Sequence, residues 1–439
     1  MKTIVPAAVY KIDSDQSAIA LSIEETASSL RRMATSGGRQ EIRGKVRELL
    51  SAIPRRIRSA PSGRRDLWNA WRSAVLSIDP RKLSFPCGAR FRLWRWRLLK
   101  LPRAIEALAY YSGTMAVFRR LNRGAKKVLT FHNVMPDALC AFDLASGVTM
   151  SASRFEAMMR RLCRRYRFSA DFDDPSTLTV TFDDGYRCQF ETAGEILRRL
   201  GVPAVVFVSG ALRNADRPER ALAVDRLLYW ASYAPMEALA GFAGAAVSSR
   251  AEFWHGFMNP AYRRDAAARG ENVFAMADSI WPFAKVVERL DAETLRLRLT
   301  GPDAEFVERL KAEGWRIGWH TRSHFPLAFL SDADAESELT PDDPSCLELP
   351  MSYPYGEPGA VSRRDEGIAE RVGFRGGLSN LESPGEREGR FFMPRISLNG
   401  DRIGDESMLS GFRYFLETGG LLRRCCRGTN ENGGAADGN

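Results

Sequence analysis

Two short clusters in this chain carry the residue types that metal-assisted hydrolysis needs. Asp183 and Asp184 lie in Thr181-Phe182-Asp183-Asp184-Gly185, at the end of the apolar run Leu178 to Phe182. His320 and His324 lie in His320-Thr321-Arg322-Ser323-His324, at the end of a second run, Trp315 to Trp319. The 439 residues contain 4 histidines (His132, His255, His320, His324), so two of them spaced this closely are informative. A catalytic zinc site takes three protein ligands and keeps one position open for water or substrate. One Asp and two His make such a set, and the second Asp is left to move a proton. The other readings are a core carboxylate with a structural histidine pair, and an Asp that caps the helix after Gly185.

Stepping from these residues to their supports, the chain from Val128 onward reads as strands alternating with helices. Val128 to Phe131 reads as a buried strand ending at His132. Arg154 to Tyr166 has Phe155, Met158, Met159 and Leu162 at helical spacing. Leu178 to Phe182, Ala204 to Val208 and Trp315 to Trp319 read as strands. Glu191 to Leu200 and 302–313 read as helices ended by Gly201 and Gly314. Further on, Met351 to Tyr353 reads as a strand end, Ile368 to Val372 as a helix and Arg390 to Ser397 as a final strand. This alternation predicts a parallel sheet, open or closed into a barrel. Most candidate residues then follow the C-terminal ends of strands, where α/β barrels place their chemistry. Residues 210–301 interrupt the rhythm with a helical insertion that should sit over that face. Asp225 and His255 within it read as structural.

The chain is long enough for a barrel-sized domain plus additional material. Its formal charge of +10 is unevenly spread: residues 1–127 hold 27 of the 64 Lys and Arg but 9 of the 54 Asp and Glu. Residues 1–98 are therefore expected to be a basic, poorly ordered extension, with helices at Ile19 to Met33 and Glu41 to Ile53. Its segment Phe91 to Lys100 interleaves Trp and Phe with Arg, which suits packing on the folded domain or on an anionic membrane surface. A nucleic-acid partner is not expected. The 7 cysteines form no C-x-x-C pair, which points to reduced thiols. The N-terminal apolar run is broken by Pro6 and followed by Lys11 and Asp13, a poor secretory signal. No uncharged stretch has the ~18 residues of a membrane span. A cytoplasmic place, peripheral at the inner membrane face, is the expectation. The Gly- and Asn-rich tail 429–439 is expected to be disordered.

The pair of motifs, TFDDG and H-T-R-S-H, resembles the signature of the polysaccharide deacetylases, the carbohydrate esterases built on the nodulation-protein-B homology domain. Ser352-Tyr353-Pro354-Tyr355-Gly356 resembles that family's R-x-P-Y segment, with Ser where the family has Arg. The resemblance covers roughly residues 100–400 and implies a distorted (β/α) barrel, expected over the domain 99–428. It implies Zn²⁺, or Co²⁺ or Ni²⁺, on Asp184, His320 and His324, and Asp183 as general base. It also implies a main-chain N–H of Tyr355 for the tetrahedral oxyanion. The substrate implied is an acetylated glycan. Two departures have replacements that the resemblance suggests. Arg395, in Met393-Pro394-Arg395-Ile396, takes the place of the Arg missing at Ser352. His132, in Phe131-His132-Asn133-Val134, resembles the early histidine of a circularly permuted subgroup and stands in for the absent late histidine as general acid. Asp225-Arg226-Leu227 resembles the W-D-R-L segment of bacterial relatives. Two rival readings remain open at this point: a hydrolase of other linear C–N bonds on the same frame, and a carbohydrate-binding relative with a decayed site. No G-x-S-x-G elbow supports a serine esterase.

Overall fold

The apolar runs at 128–131, 178–182 and 204–208 form strands buried along their whole length, as parallel strands covered on both faces must be, while the strand from the run at 315–319 is fully buried only towards its end. In a computed structural model of the chain, the residues described are 103–140, 149–357, 359–380 and 389–418, with single positions at 25, 26, 48 and 422. Of the expected N-terminal helices only Glu25, Thr26 and Glu48 are described, each in a helical turn, and the rest lies outside these residues. So do Phe91 to Lys100 and the tail 429–439. The chain divides into two compact units, Met1–Ser112 and Gly113–Asn439. In the first, residues 103–111 form a helix.

The second unit opens with helix α1 (Thr114–Leu121) and carries, among the described residues, ten strands. These are β1 (Lys127–Phe131), β2 (Asn133–Met135), β3 (Thr149–Ser151), β4 (Arg167–Phe168), β5 (Thr177–Phe182), β6 (Ala204–Val208), β7 (Arg316–Trp319), β8 (Met351–Ser352), β9 (Gly377–Leu378) and β10 (Ile396–Ser397). The main sheet has the order β10-β1-β5-β6-β7, with β4 also on β5, and every pairing is parallel. Separate parallel pairs join β2 to β3 and β8 to β9. The observed class is α/β with a parallel sheet. No main-chain ladder joins β7 to β8 among the described residues.

Helix α2 (Ala152–Cys163) lays Phe155, Met158, Met159 and Leu162 on the sheet, the four positions that the spacing selects. Phe155 meets Phe131 edge to face at 5.2 Å between ring centres. The insertion is helical, with α4 (Ala223–Tyr233), α5 (Asn259–Arg264) and α6 (Ala292–Leu299), after α3 (Gly194–Arg199) and before α7 (Ala304–Ala312). Helix α8 (Arg363–Val372) starts five residues earlier than its apolar positions suggest, because Ser362 and Asp365 form a reciprocal capping box.

Two elements differ from the sequence expectation for local reasons. The helix expected at Glu191 begins as a widened turn, Gln189–Ala193, before α3. There the Gln189 side chain accepts from Gly185 N at 3.1 Å and donates to the Asp183 carbonyl, so the helix start is given over to holding the Asp-Asp-Gly turn. The final strand is Ile396–Ser397 alone, preceded by one bridge from Met393 to Leu378. Pro394 brings no N–H to a ladder, and the Arg395 side chain is turned inward.

Candidate active site

The ends of β1, β5, β7 and β8 deliver the candidate residues to one place. Asp183 N donates to Phe131 O of β1 at 3.1 Å, and His320 N donates to Val208 O of β6 at 3.1 Å. The turns beyond these strands are strained. Five described non-glycine residues have positive φ, and four of them are Asp184 (82°), Thr321 (63°), His324 (61°) and Tyr355 (62°). Strain of this kind persists only where surroundings over-determine the backbone, and it concentrates at functional sites. Gly185 shows how tight the turn is: its φ is 96°, and a Cβ there would lie 2.7 Å from Val208 Cγ1. Gly185→Ala is therefore expected to destabilise the fold by about 1–3 kcal/mol, read as a lowered denaturation midpoint. An unchanged midpoint would show that the turn relaxes freely.

Asp184, His320 and His324 converge, each buried, with one ligand atom apiece inside 4.8 Å of the others. Asp184 Oδ1 is 3.5 Å from His320 Nε2 and 3.2 Å from His324 Nε2. A tetrahedral ion with bonds of about 2.0–2.1 Å holds its ligand atoms roughly 3.3 Å apart, so the set fits a divalent ion. His320 Nδ1 lies 2.8 Å from the Ser352 carbonyl, which directs Nε2 into the site, as outer partners of metal-binding histidines do. His324 Nδ1 is buried and makes no hydrogen bond to another described residue. Burial works against the charged Asp184 carboxylate, but the two imidazoles outweigh it and hold the carboxyl well below its ordinary range.

Asp183 is fully buried and is not a helix cap. Its Oδ1 accepts from Arg395 Nη1 at 2.8 Å and from Ser352 Oγ at 2.8 Å, and its Oδ2 accepts from Arg395 Nη2. Burial pushes this carboxyl up, and the Arg395 guanidinium overcomes that and brings it down to about 2. Arg395 also donates to Thr181 Oγ1 at 3.2 Å, to Ser379 O at 3.1 Å and to Asn380 Oδ1. It thus ties the end of β5 to the segment after β9. Ser352, read from sequence only as a missing Arg, contributes a hydrogen bond of its own to Asp183.

His132 follows β1, with its side chain 22% exposed and Nε2 3.9 Å from Asp183 Oδ2. Burial lowers its pKa below that of a free histidine, more than the carboxylates of Asp184 and Asp183 raise it. The Tyr355 main-chain N–H makes no hydrogen bond to another described residue. The Tyr355 ring packs against His324 at 4.9 Å. His255 is exposed in the insertion and is not brought to the site.

Sequence reasoning missed Asn380, Gln189 and a buried network behind Asp184 and its two histidines. Tyr186 Oη donates to Asp225 Oδ2, and Arg298 Nη2 lies 3.6 Å from Asp225 Oδ1. The Arg298 guanidinium rests over the Tyr186 ring at 5.1 Å. The Asn133 amide, once its oxygen faces Arg298, accepts from Nη2 at 3.1 Å and Nε at 3.2 Å. Asp225 on α4 and Arg298 on α6 thus bind the insertion to the turn carrying Asp184. The D-R-L spacing was visible in the sequence, but its partner 73 residues later was not.

No family profile matches the sequence, and no curated protein aligns with it. Solved structures do resemble its fold. The Streptococcus pyogenes deacetylase PplD, in complex with acetate, is 13% identical with a TM-score of 0.37, over 63% of this chain and 93% of that one. A polysaccharide deacetylase from Bacillus cereus is 13% identical with a TM-score of 0.37, over 65% and 68%. IcaB from Ammonifex degensii is 16% identical with a TM-score of 0.35, over 65% and 97%.

Proposed function

We propose that this chain is a metal-dependent deacetylase that removes acetyl groups, N-acetyl foremost, from an amino-sugar polymer, oligosaccharide or lipid-linked glycan. The observation that carries the reading is the meeting of Asp184, His320 and His324 with a second, separately held carboxylate, Asp183, beside His132. Asp184, His320 and His324 would hold a divalent ion, Zn²⁺ by donor type, with Co²⁺ and Ni²⁺ also suited. Such an ion supplies Lewis acidity to the acetyl carbonyl and to water. Asp183, kept ionised by Arg395, accepts the proton of the attacking water. The Tyr355 N–H donates to the oxyanion, and His132 passes a proton to the leaving amine. Because His132 starts neutral, it must gain that proton within the reaction, and Asp183 is the nearest carboxylate to it.

The decayed-site alternative rested on the missing Arg at Ser352, and Arg395 pairs with Asp183 in its stead. Acetate release from N-acetylglucosamine oligomers tests the assignment. Release of ammonia or urea from linear amides and ureides, without acetate release from any glycan, would assign the rival C–N hydrolysis instead.

The role of His132 has its own test. His132→Gln should keep the metal and the fold yet lose about 10²–10⁴-fold on an N-acetyl substrate. An aryl acetate, whose leaving group needs no proton, should lose much less. Equal losses on the two substrates would remove His132 as the acid. The basic segment 1–98 is proposed to contact an anionic membrane surface. No helix among the described residues is long and apolar enough to cross a membrane.

A further inference from the structure

The insertion does more than cover the strand ends, because one of its arginines forms part of the rim of the site. On α5, Tyr262 packs on Phe325 at 5.0 Å, next to the ligand His324. The neighbouring Arg263 places its guanidinium 5.7 Å from the centre of the Tyr355 ring and 5.8 Å from that of Phe329. The Tyr355 ring itself lies against His324. His324, Tyr355, Arg263 and Phe329 are therefore a continuous series of contacts leading outward from the metal ligands.

Phe329 is 43% exposed, and yet it stands on a fixed turn. Ala328 N donates to Ala360 O at 2.9 Å, and Arg364 donates to Leu327 O at 2.8 Å and Leu330 O at 2.7 Å, on either side of it. An aromatic face held open on a rigid turn loses little conformational freedom when a ligand covers it. Arg263 is held as well: Nε donates to Asn259 Oδ1 at 3.2 Å and Nη2 to Glu357 Oε1 at 3.0 Å. Its Nη1 makes no hydrogen bond within the described residues and keeps its two donors for a ligand.

We infer that Phe329 and Arg263 form a binding subsite for the sugar next to the one being deacetylated, so that the site prefers oligomers to single sugars. This rests on the deacetylase reading. One face of a β-linked pyranose carries axial C–H groups and covers an aromatic ring, burying apolar area on both. Its hydroxyl and acetamido oxygens lie at the ring edge, where Arg263 Nη1 can donate to them. The contacts from His324 to Tyr355, from Tyr355 to Arg263 and from Arg263 to Phe329 measure 4.9, 5.7 and 5.8 Å, so Phe329 and Arg263 lie beside the site and not within it.

Calorimetric titration of the full chain with N-acetylglucosamine and with its tetramer, in the cold so that turnover is slow, tests this apart from catalysis. The tetramer should bind at least tenfold more tightly than the monomer. Phe329→Ala should remove most of that difference, Phe329→Trp should retain it, and Arg263→Met should reduce it. Thermal melts of the variants establish that they are folded. Tetramer binding of this pattern without acetate release would leave the subsite standing and defeat the catalytic reading. Equal affinities for monomer and tetramer, or a folded Phe329→Ala with undiminished tetramer affinity, would overturn the subsite.

Discussion

Replacing either His320 or His324 by alanine is expected to empty the protein of its divalent ion and to bring acetate release to background. Each imidazole would be one of three ligands, and a catalytic ion has no spare protein ligand to draw on. The site is built around the pair. His320 is directed by the Ser352 carbonyl, while His324 sits at a positive φ that the surrounding turn enforces. Neither position has a neighbouring side chain of the right type to replace it: among the described residues these three form the one group with metal-ligand spacing. The measurement is metal content of purified protein by elemental analysis, beside acetate release with Zn²⁺ added back. A His320→Ala/His324→Ala double variant that still holds one ion per chain would overturn the ligand assignment. The fold should survive the substitution, because removing the imidazoles leaves the hydrophobic layers between α2 and the sheet untouched.

How much of this was legible in the sequence depended on whether the signal was local. Strand β6 has the limits its apolar run sets, and β1, β5 and β7 differ by one residue at the start, because continuous burial, complete in β1, β5 and β6 and partial in β7, writes itself as an apolar run. The candidate ligands were legible because Asp184 sits just past the end of one strand and the two histidines, four apart, sit just past the end of another. Arg395 was reached only by analogy with a family pattern, and its four partners lie between 15 and 214 residues away. Nothing in the spacing of charges encodes such a bond. The strands β2, β3, β4 and β9 were missed for a related reason. Each has two or three residues, too few for a period-two pattern to register. The widened turn at Gln189 was invisible because the residue reads as an ordinary helix former, and only its two bonds to the Asp-Asp-Gly turn give it another task.

Breaking the Asp183–Arg395 pair should be costly in two separable ways. Both side chains are wholly buried, and Arg395→Ala would leave Asp183 charged without its partner, a change expected to lower stability by about 3–5 kcal/mol. Arg395→Lys should recover only part of this, since a single ammonium cannot reproduce the fork that reaches Thr181, Asp183, Ser379 and Asn380 together. Asp183→Asn/Arg395→Met removes both charges and should be more stable than Arg395→Ala, because no uncompensated ion remains inside. Activity should follow a different order. Asp183→Asn keeps the metal but loses about 10²–10⁴-fold in turnover, and the double variant should be no more active than that single one despite its regained stability. Denaturant midpoints and acetate release on the same four proteins give the two orders. Loss of the ion from Asp183→Asn would make Asp183 a ligand and dissolve the division of labour between the two aspartates. A loss under about 1 kcal/mol for Arg395→Ala, the scale of an exposed pair, would mean the pair opens to water in solution. With the metal kept and the stability cost large, Arg395 would be the group that holds the base, from a position just before β10 and 43 residues beyond Ser352.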